Sequence, residues 1–156
     1  MVVASMLVCE MAAYYKSQGK TLLDVMNDLY KEHGVYQHTM INAEFEGAQG
    51  METMKALMSG LRENRPTEIA GLRVVLFSDY MNSIAVDIQS GQTNEIHLPK
   101  SNVLSFGLEG NAGLIVRPSG TEPKIKAYIT ATGSDAAKAA EMAKKLTAAA
   151  KELLKV

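Results

Sequence analysis

The sequence predicts an α+β domain preceded by a short helical segment, and three observations carry that prediction. Two helical segments open the chain. A third helical segment then lies between an extended segment at 35–46 and a series of short strand candidates, whose turns are rich in Gly, Asn, Asp and Ser. A long Ala-rich helix closes the chain. Helices and strands that are grouped in this way, without regular alternation, are typical of the α+β class.

The first helix, at residues 2–16, is apolar almost all round, so we expect it to have neighbours on several sides. No Ser, Thr, Asp or Asn precedes Val2 as a cap. Two explanations remain open: the sequence begins inside a larger protein, or the helix self-associates. The lone Cys9 lies in this helix without a basic neighbour, which favours an inert thiol in the core.

The second helix is predicted from Thr21 to Glu32, with Thr21 as its N-cap and Gly34 at its C-terminal stop. A third helix follows the turn at residues 47–50 and ends in the segment from Arg62 to Pro66. Apolar residues recur at helical spacing in it, and this stripe is predicted to be core: Met51, Met54, Leu57, Met58 and Leu61.

Five strand candidates follow: Leu72–Phe77, Ser83–Gln89, Val103–Gly107, Ala112–Val116 and Lys124–Ala131. Ser134 is predicted to cap the final helix. The inner face of that helix is predicted to include Ala136, Ala140, Ala143, Leu146, Ala150 and Leu153.

Composition excludes several classes of protein. A net charge of −1 gives no overall attraction to nucleic acid or to an anionic membrane. The apolar run from Val2 to Tyr15 lacks a basic start and is interrupted by Glu10, so neither a signal peptide nor a membrane span is expected. A single cysteine excludes an internal disulfide and fits a reducing cytoplasm. We therefore expect a cytoplasmic protein that binds neither nucleic acid nor membrane.

The most specific stretch runs from Arg117 to Lys126, between two strand candidates. It carries a guanidinium that can engage two anionic oxygens, hydroxyls that donate, and a glycine that lets backbone N–H groups approach closely. Lys124 and Lys126 fall on one face of the next strand because side chains alternate along a strand. This inventory indicates a phosphate site. The structural alternative is a tight hairpin whose arginine meets a surface carboxylate.

Other candidate sites are weaker. His33, His38 and His97 lack ligand spacing, so surface or capping roles are favoured over metal binding. Glu44 and Glu46 place two carboxylates on one side of a strand, which a solvated face explains as well as acid–base chemistry. Nothing resembles a nucleophile beside an activating base. We therefore predict no catalytic residue and no metal ligand in this chain.

The segment Arg117–Tyr128 resembles the phosphate-binding loop of the α-D-phosphohexomutases, the phosphoglucomutase and phosphomannomutase enzymes. The likeness extends to other segments in order and spacing, and so covers essentially the whole chain: Phe45-Glu46-Gly47 with Gly50, Leu61-Arg62, and Leu98–Leu104. The loop motif is highly specific.

This resemblance implies the last part of a four-domain enzyme. Residues 1–34 would be the helical tail of domain three, and residues 35–156 the C-terminal domain, with an antiparallel sheet packed against helices as in the TATA-binding protein. Substrate phosphate would be bound by Arg117, Ser119, Gly120, Thr121 and Lys126. Lys126 stands where the family often has Arg, and lysine keeps the charge but loses the bidentate fork.

The parent reaction implied is interconversion of hexose 1-phosphate and 6-phosphate through a bisphosphate, with closure at a hinge near Gly34 to Gln37. The phosphoserine loop, the Mg²⁺ ligands and the sugar-reading loop have no counterpart here, so the chain alone is expected to be inactive, and Mg²⁺ is implied only for the full-length enzyme. A free-standing module for phosphorylated ligands and a dimerisation domain remain the alternatives. The choice between glucose and mannose phosphates, and the oligomeric state, stay open.

Overall fold

A computed structural model describes residues 2–156. The helices and strands follow one another in this order: α1 Val2–Ser17, α2 Leu22–His33, β1 Val35–Glu44, α3 Gly50–Glu63, β2 Glu68–Ile69, β3 Leu72–Asp79, β4 Ile84–Asp87, β5 Thr93–Glu95, β6 Leu104–Leu108, a 3₁₀ turn Glu109–Asn111, β7 Gly113–Pro118, β8 Lys124–Gly133 and α4 Ala136–Leu154.

The strands form one sheet in the order β1-β8-β7-β6-β3-β4-β5, and β2 pairs with β3 outside this path. Every pairing is antiparallel. Strands β1 and β8 pair along their whole length, from Val35 opposite Gly133 to Glu44 opposite Lys124. The predicted α+β class with an antiparallel sheet packed against helices is confirmed.

The hydrophobic core lies between one face of the sheet and helices α3 and α4. Side chains alternate along β8, so that one residue in two is buried beneath the helices. The largest fully buried apolar side chains are Phe106, Met58, Leu104, Leu114, Ile125, Ile129, Leu146, Leu154 and Val116. Burying a side chain of this size stabilises the fold by about 1.5–3 kcal/mol. The predicted core stripe of α3 is confirmed by the burial of Met54, Met58 and Leu61.

The opposite face of the sheet carries no helix among residues 2–156. Met40 on β1 lies opposite Tyr128 on β8, which in turn lies opposite Ile115 on β7. All three side chains are exposed. The next row toward the β7–β8 turn holds Asn42, Lys126 and Arg117 on the same face. The open face is therefore apolar near its middle and cationic at the edge where the two strands turn.

Two short strands were missed by the sequence reasoning. Strand β2 has two residues and β5 has three, and all three residues of β5 are exposed. Neither segment shows the alternation of apolar and polar residues that predicts a strand. Each is extended because it pairs with a neighbouring strand, β2 with β3 and β5 with β4. The five predicted strands are all present, with ends shifted by at most two residues.

The predicted cap of the last helix was wrong by one residue. Asp135 is the N-cap, and its Oδ1 accepts a hydrogen bond of 2.8 Å from the Lys138 N–H, whereas the Ser134 hydroxyl donates to Asp135 Oδ2. The buried face of α4 agrees with the predicted one at Ala143, Leu146 and Ala150 and differs at the other three predicted positions. It consists of Ala139, Ala143, Leu146, Ala150 and Leu154, while Ala136 is exposed and Ala140 and Leu153 are partly buried.

The two opening helices lie outside this core, and neither contains a buried residue. Helix α2 has the predicted cap: Thr21 and Asp24 hydrogen-bond each other's backbone N–H, and Gly34 ends the helix at φ 83°. Cys9 is exposed, so the prediction of a core thiol was wrong. Within residues 2–156, no helix combines the length and apolar character needed to cross a bilayer.

Candidate functional site

The turn between β7 and β8 is closed by its own hydrogen bonds. The Ser119 N–H donates to the Lys124 carbonyl at 2.8 Å. The Ser119 Oγ accepts from the Thr121 and Glu122 N–H groups at 3.5 Å and 3.4 Å. The hydroxyl oxygen thus acts as an acceptor within the loop, which leaves its proton free to be donated outward.

Arg117 and Lys126 face each other across the base of this turn. They are directly opposite residues of β7 and β8, so their side chains leave the sheet on the same face. In the part of the chain that the structure describes, neither side chain forms a hydrogen bond or an ion pair. Like charges in this position destabilise a sheet, and an anion bound between them would remove that cost.

The turn and the two strand ends line a solvent-open cavity of about 190 Å³. Its lining brings together four of the five predicted site residues: Arg117, Ser119, Gly120 and Lys126. Thr121 is not part of the lining, and its N–H points back to Ser119 Oγ. The structural alternative is not observed, because Arg117 forms no ion pair with a carboxylate among residues 2–156.

Three further residues line the cavity, Pro118, Glu122 and Lys124. Lys124 was expected on the same strand face as Lys126 but was not among the predicted phosphate contacts, and Glu122 was not assigned to the site. Glu122 Oε2 lies 2.5 Å from Lys124 Nζ. The hydrogen bond from Lys124, and then its charge, hold the pKa of the Glu122 carboxyl below its ordinary value. The same hydrogen bond raises the pKa of the Lys124 ammonium. The sequence shows a Glu two residues before a Lys, but this spacing alone does not predict an ion pair. The turn is what brings the Glu122 carboxylate and the Lys124 ammonium group together.

The loop is held at its base by the chain that follows β1. The Phe45 N–H donates to the Pro123 carbonyl at 2.9 Å, which ties the end of β1 to the end of the loop. Helix α3 begins against both residues: a Cβ on Gly50 would lie 2.1 Å from Phe45 O and 3.1 Å from Pro123 Cβ. Gly50 is thus required where the helix approaches the backbone, and this accounts for a glycine in the Phe45–Gly50 segment.

A buried ion pair joins two other segments that the sequence singled out. Arg62 Nε donates to Asp79 Oδ2 at 3.1 Å, and its Nη2 donates to Asn102 Oδ1. Asp79 is only 2% exposed and also accepts from the Met81 N–H and from Asn82 Nδ2. A buried carboxylate is tolerated when it is paired and fully hydrogen-bonded in this way. Leu61-Arg62 and Leu98–Leu104 therefore meet in a structural cluster on α3, β3 and the loop before β6.

The remaining candidates stay solvent-exposed. His33, His38 and His97 all lie on the surface, as predicted, and so do Glu44 and Glu46. Between residues 2 and 156, no group of three or more His, Cys, Asp or Glu side chains is arranged to hold a metal ion.

Residues 40–149 match the sequence profile of the family described as "Phosphoglucomutase/phosphomannomutase, C-terminal domain". This range spans the whole of the described site, from the end of β1 through the β7–β8 turn into α4. The chain belongs to that family. The resemblance drawn from the Arg117–Tyr128 loop is confirmed.

Known phosphoglucomutases resemble this phosphoglucomutase/phosphomannomutase C-terminal domain over most of its length. A phosphoglucomutase of Staphylococcus aureus (strain bovine RF122 / ET3-1) is 37% identical over 124 residues, which is 80% of this chain and 22% of that protein. One from Staphylococcus epidermidis (strain ATCC 35984) is 36% identical over 125 residues, with the same coverage of both chains. The chain thus spans about a fifth of the length of these relatives.

A solved structure shares the fold. The crystal structure of the Paramecium exocytosis-sensitive phosphoprotein pp63/parafusin, a phosphoglucomutase in its open form, matches with a TM-score of 0.54 and 13% sequence identity. The match covers 93% of this chain and 25% of that one. At this identity the likeness supports the fold of the phosphoglucomutase/phosphomannomutase C-terminal domain and nothing beyond it.

Proposed function

We propose that this chain is the phosphate-clamping part of an enzyme that interconverts hexose 1-phosphate and hexose 6-phosphate. One observation carries the proposal: Arg117 and Lys126 lie opposite each other without ion-pair partners in residues 2–156, beside the loop of a phosphoglucomutase/phosphomannomutase C-terminal domain. A phosphate between them would offset the mutual repulsion of the two cations. The substrate class is a glucose or mannose phosphate, with a bisphosphate intermediate.

The proposed contacts divide by chemistry. The Arg117 guanidinium engages two phosphate oxygens, Lys126 supplies a second charge, and the Ser119 hydroxyl donates its free proton. Gly120 lets the loop backbone approach the anion, and Thr121 is the fifth predicted contact. Because the site is open to solvent, a single clamp of this kind holds phosphate near the millimolar level, equivalent to about 4 kcal/mol.

The division of the chain is also part of the proposal. Residues 1–34 belong to the end of the preceding domain, and residues 35–156 form the C-terminal domain. Helices α1 and α2 contribute no buried residue to the core, which supports a division at Gly34. Closure of the clamp over substrate would then occur by rotation near Gly34 to Gln37, where Gly34 has a φ of 83°.

The chemical step is assigned to residues upstream of this chain. The sequence contains no Ser-His loop and no Asp-x-Asp-x-Asp run. The described residues form no cluster of ligands that could hold a Mg²⁺ ion, so the Mg²⁺ implied for the full-length enzyme would be held by other parts of that enzyme. The chain alone is expected to be inactive, and the parent enzyme to act in the cytoplasm.

A second candidate function is association through α1. Val3, Met6 and Leu7 are each more than half exposed on this helix. Apolar side chains that stay exposed along a helix favour contact with another surface, either the preceding domain or a second copy of the chain. Sedimentation of the isolated chain tests this candidate, since a monomer at high concentration would argue against self-association.

The proposed function is tested by NMR titration of the ¹⁵N-labelled chain with glucose 6-phosphate, inorganic phosphate and unphosphorylated glucose. We expect both phosphorylated ligands to shift the amides of residues 117–126, and glucose to leave them unchanged. Binding of glucose at the same amides would contradict a phosphate clamp. Affinity tighter than about micromolar would favour a free-standing module for phosphorylated ligands, because one clamp should bind weakly.

An assay for conversion of glucose 1-phosphate to glucose 6-phosphate tests the inactivity of the chain, and measurable turnover would contradict it.

A further inference from the structure

We propose that Lys124 is an additional anion-binding residue of this site, and that Glu122 is an internal latch that holds Lys124 until an anion replaces it. The inference rests on the proposed phosphate-binding function and deepens it. Both side chains line the same cavity as Arg117 and Lys126. Glu122 Oε2 lies 2.5 Å from Lys124 Nζ.

The three cations that line the cavity differ in whether they have an ion-pair partner. Arg117 and Lys126 form no ion pair in the described chain, whereas the third cation, Lys124, is paired within the cavity itself. A carboxylate in a phosphate site repels the negatively charged ligand, and it competes with phosphate for the same ammonium group. Glu122 thus lowers the affinity of the site in two ways, by repelling the anion and by occupying Lys124.

Release of the latch costs little. The Glu122 side chain is 58% exposed, so its carboxylate can turn into water and stay hydrated, and an exposed ion pair contributes little to stability. The Lys124 side chain is 27% exposed and is held near the cavity by the strand. A dianion that already contacts Arg117 and Lys126 therefore displaces Glu122 more readily than a singly charged ligand does. The latch favours phosphate esters over carboxylates.

Glu44 provides the matched control. It is the residue opposite Lys124 on β1, and its charge also acts on Lys124, but it forms neither a hydrogen bond nor an ion pair with it. Glu44 lies outside the cavity lining. Glu44→Gln removes the same charge from the same neighbourhood without opening the latch.

The test is titration of inorganic phosphate, followed by NMR at constant ionic strength, into the wild-type chain and the variants Glu122→Gln, Glu44→Gln, Lys124→Met and Glu122→Gln/Lys124→Met. We expect Glu122→Gln to bind phosphate about two- to fivefold more tightly, the range corresponding to one exposed ion pair. Glu44→Gln should stay near the wild-type value, and Lys124→Met should weaken binding. In the Lys124→Met background the gain from Glu122→Gln should shrink, because Glu122 acts partly through Lys124.

Three results would overturn the latch: an unchanged affinity in Glu122→Gln, an equal gain in Glu44→Gln, or the same gain from Glu122→Gln with and without Lys124. Failure of the underlying site has a different signature, since phosphate would then bind no variant, or would bind Arg117→Met as well as the wild type.

A second readout is the pKa of the Glu122 carboxyl measured by ¹³C NMR, with and without sulfate as the anion. Loss of its lysine partner on anion binding should raise that pKa, and an unchanged value would contradict release.

Discussion

Arg117 and Lys126 lie directly opposite each other on strands β7 and β8, and neither forms an ion pair among residues 2–156. A pair of like charges in this position costs a sheet roughly 0.2–1 kcal/mol. A fold that is selected only for stability would place an acidic residue in one of these two positions. The arrangement instead keeps two cations available beside a loop whose Ser119 hydroxyl can still donate a proton.

Removing Arg117 should leave the fold as stable as before, or more stable. Arg117→Met relieves the repulsion from Lys126, so we expect the free energy of unfolding to rise by about 0–1 kcal/mol. Urea denaturation measures it. The matched control is Arg73→Met, which removes another exposed arginine that is paired with Glu109 and should slightly destabilise the chain. A clear loss of stability in Arg117→Met would show that Arg117 has a structural role.

The two glycines of helix α3 should respond in opposite directions to replacement by alanine. At Gly50 a new Cβ would lie 2.1 Å from Phe45 O, so Gly50→Ala must displace the helix start from the base of the loop and destabilise the fold. At Gly60 no heavy atom beyond the neighbouring residues and the helix's own backbone lies within 4 Å of the new Cβ, so Gly60→Ala should stabilise the helix by about 0.5–1 kcal/mol. Thermal unfolding of both variants checks this, and a loss of stability in Gly60→Ala would be unexpected.

Adjacent leucines at the end of α4 test which face of that helix is buried. Leu154 is fully buried, whereas Leu153 is partly exposed. Leu154→Ala should therefore lower the free energy of unfolding by about 2–5 kcal/mol, the range for buried leucines, and Leu153→Ala by much less. Denaturant titration of the two variants measures the difference. Equal losses of stability would contradict the burial seen in the structure and favour the assignment of Leu153 to the inner face that was made from the sequence.

The capping box of α2 should make the start of that helix sensitive to acid. Hydrogen bonds from the Thr21 hydroxyl and then from its backbone N–H lower the pKa of the Asp24 carboxyl. The contribution of Asp24 to helix stability is therefore present above the ordinary aspartate pKa of about 3.9, and it is lost as pH falls through the lowered value. Carbon chemical shifts of residues 21–26 during acid titration report it. Asp24→Asn removes the titrating carboxyl and should abolish this transition, and a transition that persisted in Asp24→Asn would assign it to another group.

Elements with local signals were predicted well from the sequence. Thr21 and Gly34 mark the ends of α2 by short-range hydrogen bonding and backbone geometry, and both positions are confirmed. The Met54–Met58–Leu61 stripe likewise depends only on helical spacing. The cap of α4 was placed one residue early because Ser134 and Asp135 are both good caps, and only the backbone conformation selects Asp135.

Features that depend on tertiary contacts were not predictable in the same way. Strands β2 and β5 are extended by their neighbours, with no pattern of their own. Cys9 was predicted to be buried because α1 is apolar, but burial depends on a partner surface that the described residues do not provide. In the site, the sequence indicated the Arg117, Ser119, Gly120 and Lys126 set. The Glu122–Lys124 pair depends on how the turn folds back, which spacing alone does not determine.

The most direct test of the phosphate clamp is titration of inorganic phosphate into the wild-type chain, Arg117→Met and Arg73→Met, followed by ¹⁵N NMR. All three proteins should be folded, and the two variants have the same net charge. The wild type and Arg73→Met should show saturable shifts at residues 117–126 with a dissociation constant near millimolar, and Arg117→Met should show none that saturate. Equal phosphate binding in Arg117→Met and the wild type would contradict the account.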